Sequence, residues 1–461
     1  MNLKTDPLNT PLVAPLTTPL EKGFESISWP FKEFIRDQKT SNALLVFSTF
    51  LAIYLANSHW SELYSFFNTS VSGLYIGGWV FEMTNQAWVN DGLMTLFFYV
   101  IGLEIKRELL AGELTSLKTN ITILAAALGG MIFPALIYYA FNAGEVSVRG
   151  WGIPMATDTA FAVGVLALLG ARVPIAVTTF LTALAIFDDL GAVLVIAFFY
   201  VEELSVHYIF QAGVIFALML GMNRLGVRTP LPYLIAGILL WFAIHASGIH
   251  STIAGILAAI TVPSKPKHEP TWFIKKTLHL LLKFRRLEKQ ASHNHNILAK
   301  QEEHDVINDI ERVAETSTTP LQRWEHTVRR PIALFVLPLF ALSNAGIPVN
   351  LELLPATLNS QEFWGIFLGL IVGKSLGITL FTWFALRSGI GILPRYVTMQ
   401  HVIGIGLLGG MGFTMSIFIA GIGFSELSDT LINAKTAILA GSLIAGILGY
   451  GWMYWISRQE K

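Results

Sequence analysis

No cysteine occurs in the 461 residues, which excludes disulfides, thiol nucleophiles and cysteine-held metals. Charge is also scarce. Asp, Glu, Lys and Arg make up 13 % of the chain, against roughly 25 % in soluble domains. The start offers no apolar leader: residues 1–21 are polar and rich in Pro and Thr, so no cleaved signal peptide is expected. With 31 basic and 31 acidic residues, the net charge carries no information about partners, and nucleic acid is not expected among them. What fills the chain instead is apolar: 53 % hydrophobic residues and a mean hydropathy of +0.57. Apolar runs recur at about twenty residues, the length that crosses a bilayer as a helix. The fold class is all-α and polytopic.

Twelve spans are expected, near 43–57, 86–110, 121–141, 151–169, 175–200, 206–222, 231–246, 249–262, 332–345, 363–386, 401–422 and 431–456. Residues 23–38 read as an amphipathic surface segment or a partly ordered tail. Between Val71 and Phe81 the pattern is that of a β-hairpin turning at Gly77-Gly78. The chain then divides into an N-terminal segment (1–42), spans one to eight (43–263), a hydrophilic insertion (264–330), and spans nine to twelve with a short tail (331–461). Of the 31 Lys and Arg residues, all but Arg149, Lys374 and Lys435 fall on one side of this topology. The positive-inside rule places that side, both termini and the insertion in the cytoplasm.

Against this background the polar residues inside spans stand out. Asp188 and Asp189 are adjacent in a run otherwise apolar from 173 to 200. A carboxylate at mid-bilayer costs about 2.5–3.5 kcal/mol on insertion scales, so a pair implies use. On a helix the two project about 100° apart, one free to face a cavity while the other meets a neighbouring helix. In the fourth span Pro154, Thr157, Asp158 and Thr159 make continuous helix doubtful. The eleventh span, with five glycines between Gly404 and Gly412, is weakened likewise. Interrupted segments at matching places in two halves point to a transporter site built on inverted repeats. Lys374, midway through the tenth span, needs a carboxylate or carbonyl partner. It fits a structural ion pair or proton exchange. Facing ends of broken helices concentrate dipole charge, which Asp158 and Lys374 can offset. His250 reads as structural, and the insertion's His279, His293, His295 and His304 as a solvated surface. No cofactor is called for.

Four stretches resemble the NhaA-type bacterial sodium/proton antiporters. They are Gly102-Leu103-Glu104-Ile105-Lys106-Arg107-Glu108-Leu109, Ala156-Thr157-Asp158-Thr159-Ala160-Phe161, Ala185-Ile186-Phe187-Asp188-Asp189-Leu190-Gly191 and Gly412-Phe413-Thr414-Met415-Ser416-Ile417-Phe418. The generalisation about inverted repeats was drawn partly from this family, so it is no independent support. The resemblance implies twelve transmembrane helices, the fourth and eleventh unwound and crossing. It implies electrogenic, pH-regulated exchange of sodium or lithium for protons across the inner membrane, by a transporter and not an enzyme. Asp188 and Asp189 are then the sodium-binding carboxylates, Asp189 the principal one for cation and proton. Asp188 trades between Lys374 and the cation, and Thr157 and Asp158 balance the helix crossing. Glu104, Lys106, Arg107, Glu108, Glu325 and His326 belong to a region tied to pH regulation, and the 71–81 hairpin pairs two protomers on the periplasmic side. Two features depart from the pattern: Arg329 stands where a further histidine is expected, and the insertion is longer than usual. The rivals are a non-exchanging cation channel and an intramembrane aspartyl protease pairing Asp158 with Asp188 or Asp189.

Overall fold

A computed structural model describes residues 38–77, 79–111, 117–201, 203–290, 301–348, 354–425 and 427–459. Most of the N-terminal segment expected to be amphipathic, and His293 and His295 of the insertion, lie outside the described residues.

Helix α1 (Gln38–Ala56) turns through 111° into α2 (Ser61–Thr69). Strands β1 (Val71–Ile76) and β2 (Trp79–Thr84) follow as the antiparallel hairpin, Val71 opposite Thr84. Gly77 turns with φ +55°, a conformation in which a Cβ would be strained. The chain continues through Asn85–Ala87 and a π-turn at Trp88–Leu93 into α3 (Met94–Ala111). Next come α4 (Leu117–Asn142), α5 (Thr159–Leu168), α6 (Ile175–Phe199), α7 (Val206–Arg224), α8 (Pro230–Ala246) and α9 (Ile253–Thr261). The insertion forms α10 (Pro270–Gln290) and α11 (Gln301–Ser317). Then α12 (Pro320–Pro331), N-capped by Thr319, passes through a π-turn into α13 (Leu337–Asn344). The last part holds α14 (Gln361–Leu368), α15 (Lys374–Arg387), α16 (Met399–Gly409), α17 (Phe413–Gly423) and α18 (Ser428–Gln459).

Among the described residues six helices are long and apolar enough to cross a bilayer, and up to nine if each bent pair counts as one span. This is an all-α polytopic membrane protein with one small two-stranded sheet. The seventh, eighth and ninth of the expected spans are the ones outside this count. The eighth apolar run is helical over the nine residues of α9 only, about 14 Å at 1.5 Å per residue. The seventh, α8, has 17 residues. The ninth is the far half of a helix that begins inside the insertion, so no break occurs at residue 330.

Close packing of α4 against α15 sets the middle of the molecule. A Cβ on Gly129 would stand 2.1 Å from the Gly377 carbonyl oxygen, and a Cβ on Gly377 2.1 Å from that of Gly129. Only glycine lets the two backbones approach so far. One turn before this crossing, a π-turn at Gly369–Gly373 interrupts the tenth span and hands over to Lys374. Such π-turns recur at functional sites.

Candidate ion-binding site

Two breaks lie against each other in the core. Of the expected spans, the fourth runs as a 3-10 helix over Val146–Met155, is extended through 156–158, and restarts as α5 at an angle of 41°. The eleventh stops after α16 and restarts as α17 at 47°. Asp158 N donates to Met411 O (2.6 Å), joining the two breaks backbone to backbone. Pro154 and the cluster Thr157-Asp158-Thr159 interrupt the first helix by removing a donor and offering side-chain alternatives. At the second, Gly412 is held tightly: a Cβ there would meet Ser416 Oγ at 2.2 Å and Ala156 O at 2.9 Å.

Asp158 caps both restarts. Its Oδ1 accepts from Phe161 N (3.2 Å) in the first turn of α5, and Oδ2 accepts from Thr414 N (3.0 Å) and Thr414 Oγ1 (2.5 Å) at the start of α17. A carboxylate shared by two helix N-termini satisfies their orphan amides and offsets their positive dipole ends. On the other side of the breaks Lys374 Nζ donates to Thr157 Oγ1 (2.9 Å) and to Asp188 Oδ2 (2.6 Å). The Thr157 hydroxyl lies 2.7 Å from Asp188 Oδ2 and 3.0 Å from Gly409 O, the last carbonyl of α16. With one proton it donates to one of these at a time.

Asp188 and Lys374 are both fully buried, 0 % exposed. Asp189, on the next position of α6, faces elsewhere. It is 7 % exposed and lines a cavity of about 440 Å³ shared with Asn42, Glu104, Thr157, Asp158, His326 and Arg329. Asp188 Oδ1 and Asp189 Oδ1 accept no hydrogen bond from any described protein group. The neighbouring acids thus differ in kind: Asp188 has a lysine, whereas no salt bridge reaches Asp189 among the described residues. A buried carboxylate without a protein cation must take a proton or a mobile cation.

The cavity mouth is charged. Arg107 Nη1 pairs with Glu325 Oε1 (3.0 Å), Arg107 Nη2 with Glu108 (3.2 Å), and Arg329 Nη1 with Glu104 Oε1 (3.5 Å). Arg329, the departure from the expected histidine, therefore occupies a defined place beside the cavity. Glu325 on α12 is almost buried, and burial raises its carboxyl above the ordinary range, against the pull of Arg107 and Arg329. Lys106 does not join this group. Its Nζ donates to the carbonyls of Ile260 and Val262, closing the C-terminus of α9.

Two contributors lie outside the residues singled out from sequence. Thr414 supplies both donors on Asp158 Oδ2; it sits within a quoted motif, and a hydroxyl two residues after a glycine break was the available signal. Asn42 lines the cavity and donates Nδ2 to Ala160 O (3.0 Å); nothing in its local sequence marks it. Among the described residues no group of three or more His, Asp or Glu is placed to hold a resident metal ion.

Comparison of the chain with known proteins identifies a family. The family model described as Na+/H+ antiporter 1 matches residues 32–453. The chain is 42 % identical over 441 residues to the Na(+)/H(+) antiporter NhaA 1 of Saccharophagus degradans, spanning 96 % of this chain and 94 % of that protein. It is 41 % identical to the Na(+)/H(+) antiporter NhaA of Sulfurimonas denitrificans, over 97 % of this chain and 100 % of that one. It is 44 % identical to the NhaA antiporter of Oleidesulfovibrio alaskensis, over 94 % and 95 %. The solved sodium proton antiporter MjNhaP1 of Methanocaldococcus jannaschii superposes at a TM-score of 0.44 with 12 % identity, over 95 % of this chain and 94 % of that one, and carries no argument at that distance. On the family match and the identities that span nearly the whole length, the chain belongs to the NhaA-type Na+/H+ antiporter family.

Proposed function

We propose that this protein is an electrogenic secondary antiporter that exchanges sodium or lithium ions for protons across the bacterial inner membrane, with Asp189 binding both ions in turn. The observation that carries the reading is the inequality of the two adjacent acids. Asp189 faces the cavity with no salt bridge to it among the described residues, while Asp188 is held by Lys374 in a fully buried pair. Carboxylate oxygens are hard ligands for small alkali cations and also bind protons, so the two ions compete for one site. Release of a proton into the cavity frees Asp189 for sodium. Asp188 then turns from Lys374 towards the cation, and Thr157, hydrogen-bonded to both partners of the pair, keeps the hydroxyl of the broken fourth span between them. Lys374, freed from Asp188, gives up a proton to the cavity side. More protons than sodium ions then move per cycle, and the membrane potential drives exchange at ~2.3 kcal/mol per charge per 100 mV.

The finer architecture belongs to the same proposal. Twelve transmembrane segments form inverted repeats in which the fourth and eleventh are the broken members, with both termini cytoplasmic. The bonds donated by Asp158 N to Met411 O and by Thr414 N and Oγ1 to Asp158 Oδ2 support their crossing. Glu104, Arg107, Glu108, Glu325 and His326 adjust activity with pH at the cavity mouth, where Arg329 now takes part. The contacts of Lys106 favour a packing role for it. The β1–β2 hairpin pairs two protomers on the periplasmic side: Val71, Tyr75 and Val80 are exposed on it, and no third strand pairs with either edge among the described residues.

A channel would leave a central ammonium beside the site unexplained. A protease dyad would need Asp158 free, and that carboxylate is occupied by two helix N-termini. The test is sodium-dependent collapse of a proton gradient in everted vesicles. Asp189→Asn, still inserted at parental levels, is expected to show only background exchange; exchange at the parental rate overturns the assignment.

A further inference from the structure

The α10–α11 part of the insertion does not line the cavity of the ion site, yet it is built in detail. Helices α10 and α11 pack as a hairpin on a small core of Leu280, Val306 and Val313. Its base is closed at the end of α9: Leu321 N donates to Pro263 O (3.2 Å) and Lys267 N to Thr316 O (3.1 Å). The hairpin is therefore held within a few residues of a helix from the apolar body of the protein.

The two helices have opposite characters. Helix α11 is acidic, with Glu302, Asp305, Asp309, Glu311 and Glu315 outside its core face. Helix α10 is basic and has a second apolar face. Ile274, Leu278, Leu281 and Leu282 are 64 %, 56 %, 51 % and 48 % exposed, although the hairpin core already uses Leu280 on the opposite side. Positions 274, 278, 281 and 282 follow the i, i+4, i+7, i+8 spacing, so they form one stripe. Lys275, Lys283 and Arg286, all exposed, line one flank of that stripe. This helix is no membrane span, since its charges exclude it from the apolar helices long enough to cross.

We infer that α10 is an interfacial helix that lays its Ile274–Leu278–Leu281–Leu282 stripe on the membrane surface, with Lys275, Lys283 and Arg286 on the phosphates of anionic lipid. Three features of the structure favour this occupant over a second protein chain. An apolar stripe beside a basic ridge is the pattern of helices that lie in the headgroup layer. Basic side chains with long apolar stems reach from such a helix to the phosphates. The acidic α11 covers the opposite face, so an anionic surface attracts one side of the hairpin and repels the other.

The absence of cysteine makes the test direct. Full-length protein carrying Leu278→Cys is spin-labelled and reconstituted into phosphatidylcholine vesicles with and without phosphatidylglycerol, with Glu311→Cys as the water-facing reference. Sodium-dependent proton movement serves as the check that each variant is folded. With phosphatidylglycerol present, the label at 278 is expected to be several-fold less accessible to a nickel chelate than the label at 311, and more accessible to oxygen. The combined Lys275→Gln, Lys283→Gln and Arg286→Gln changes, or pure phosphatidylcholine, are expected to bring nickel access at 278 up towards that at 311. Equal nickel access at 278 and 311 in anionic vesicles overturns the proposal. Equal protection of 278 in both lipids overturns its charge dependence. Dipolar broadening between labels at 278 on separate copies overturns it in favour of a second chain.

Discussion

Removing the ammonium of Lys374 separates a structural ion pair from a working one. In Lys374→Met a side chain of similar length keeps the buried slot, while Asp188 Oδ2 loses its 2.6 Å partner and Thr157 Oγ1 its 2.9 Å donor. Both residues of the pair are wholly buried, so no solvent replaces the lost cation. Removing one half of a buried pair costs about 3–5 kcal/mol because the other charge is left alone, whereas removing both halves is often near neutral. At ~1.4 kcal/mol per factor of ten, the single change shifts the folding equilibrium by roughly two to three and a half powers of ten. The double variant Asp188→Asn/Lys374→Met is expected to lie close to the parent. Thermal unfolding of the purified variants in detergent, followed by tryptophan fluorescence, measures both. The deficit of the single variant is expected to be largest at alkaline pH and to shrink in acid, where a proton takes the place of the ammonium on Asp188. Equal melting of the single and double variants, or a deficit that ignores pH, refutes the reasoning. Transport by Lys374→Ala distinguishes the roles: exchange that persists in a less stable protein makes the lysine structural.

Other consequences follow from the packing and the cavity mouth. Gly377→Val places side-chain atoms where the Gly129 carbonyl stands 2.1 Å away. Overpacking of this kind costs about 1–3 kcal/mol or more, so a lower yield of folded protein and a lower melting temperature are expected, and a melt like the parent's would argue against so close an approach of α4 and α15. Glu325 has a carboxyl raised by burial. Its contribution to stability is complete below the unfolded value of about 4.3 and is lost as pH rises through the higher folded value. Glu325→Gln is therefore expected to lose less stability than the parent over that rise, and parallel melting-temperature curves would contradict it. Its activity–pH curve is expected to be displaced from the parent's, and coincident curves would count against a regulatory role.

The parts of the site that were legible in the sequence are those where charge interrupts an apolar run. Asp158, Asp188, Asp189 and Lys374 were each visible because a bilayer makes such residues conspicuous. The weak stretches at 154–159 and 404–412 were visible because proline, glycine and clustered threonine weaken a helix locally. What joins these pieces was not local. Lys374 meets Thr157 across 217 positions and Thr414 meets Asp158 across 256, and no spacing along the chain encodes either contact. Lys106 shows the converse. In sequence it belongs with Arg107 and Glu108, but the helix turns its side chain to the end of α9, as successive positions on a helix must diverge. The span boundaries were least legible where apolar length stopped being informative: α9 is a short helix in an apolar run, and α12 carries a polar sequence into the expected ninth span without a break.

The central claim is that sodium and the proton compete for Asp189. Sodium binding to the purified protein, titrated by calorimetry across a pH series, tests it most directly. Competition at one carboxylate predicts that half-saturating sodium rises as pH falls, approaching tenfold per pH unit on the acid side, with proton release on binding, and that Asp189→Asn removes the binding. Sodium affinity that does not change with pH, or a pH-dependent affinity that survives in Asp189→Asn, would contradict it.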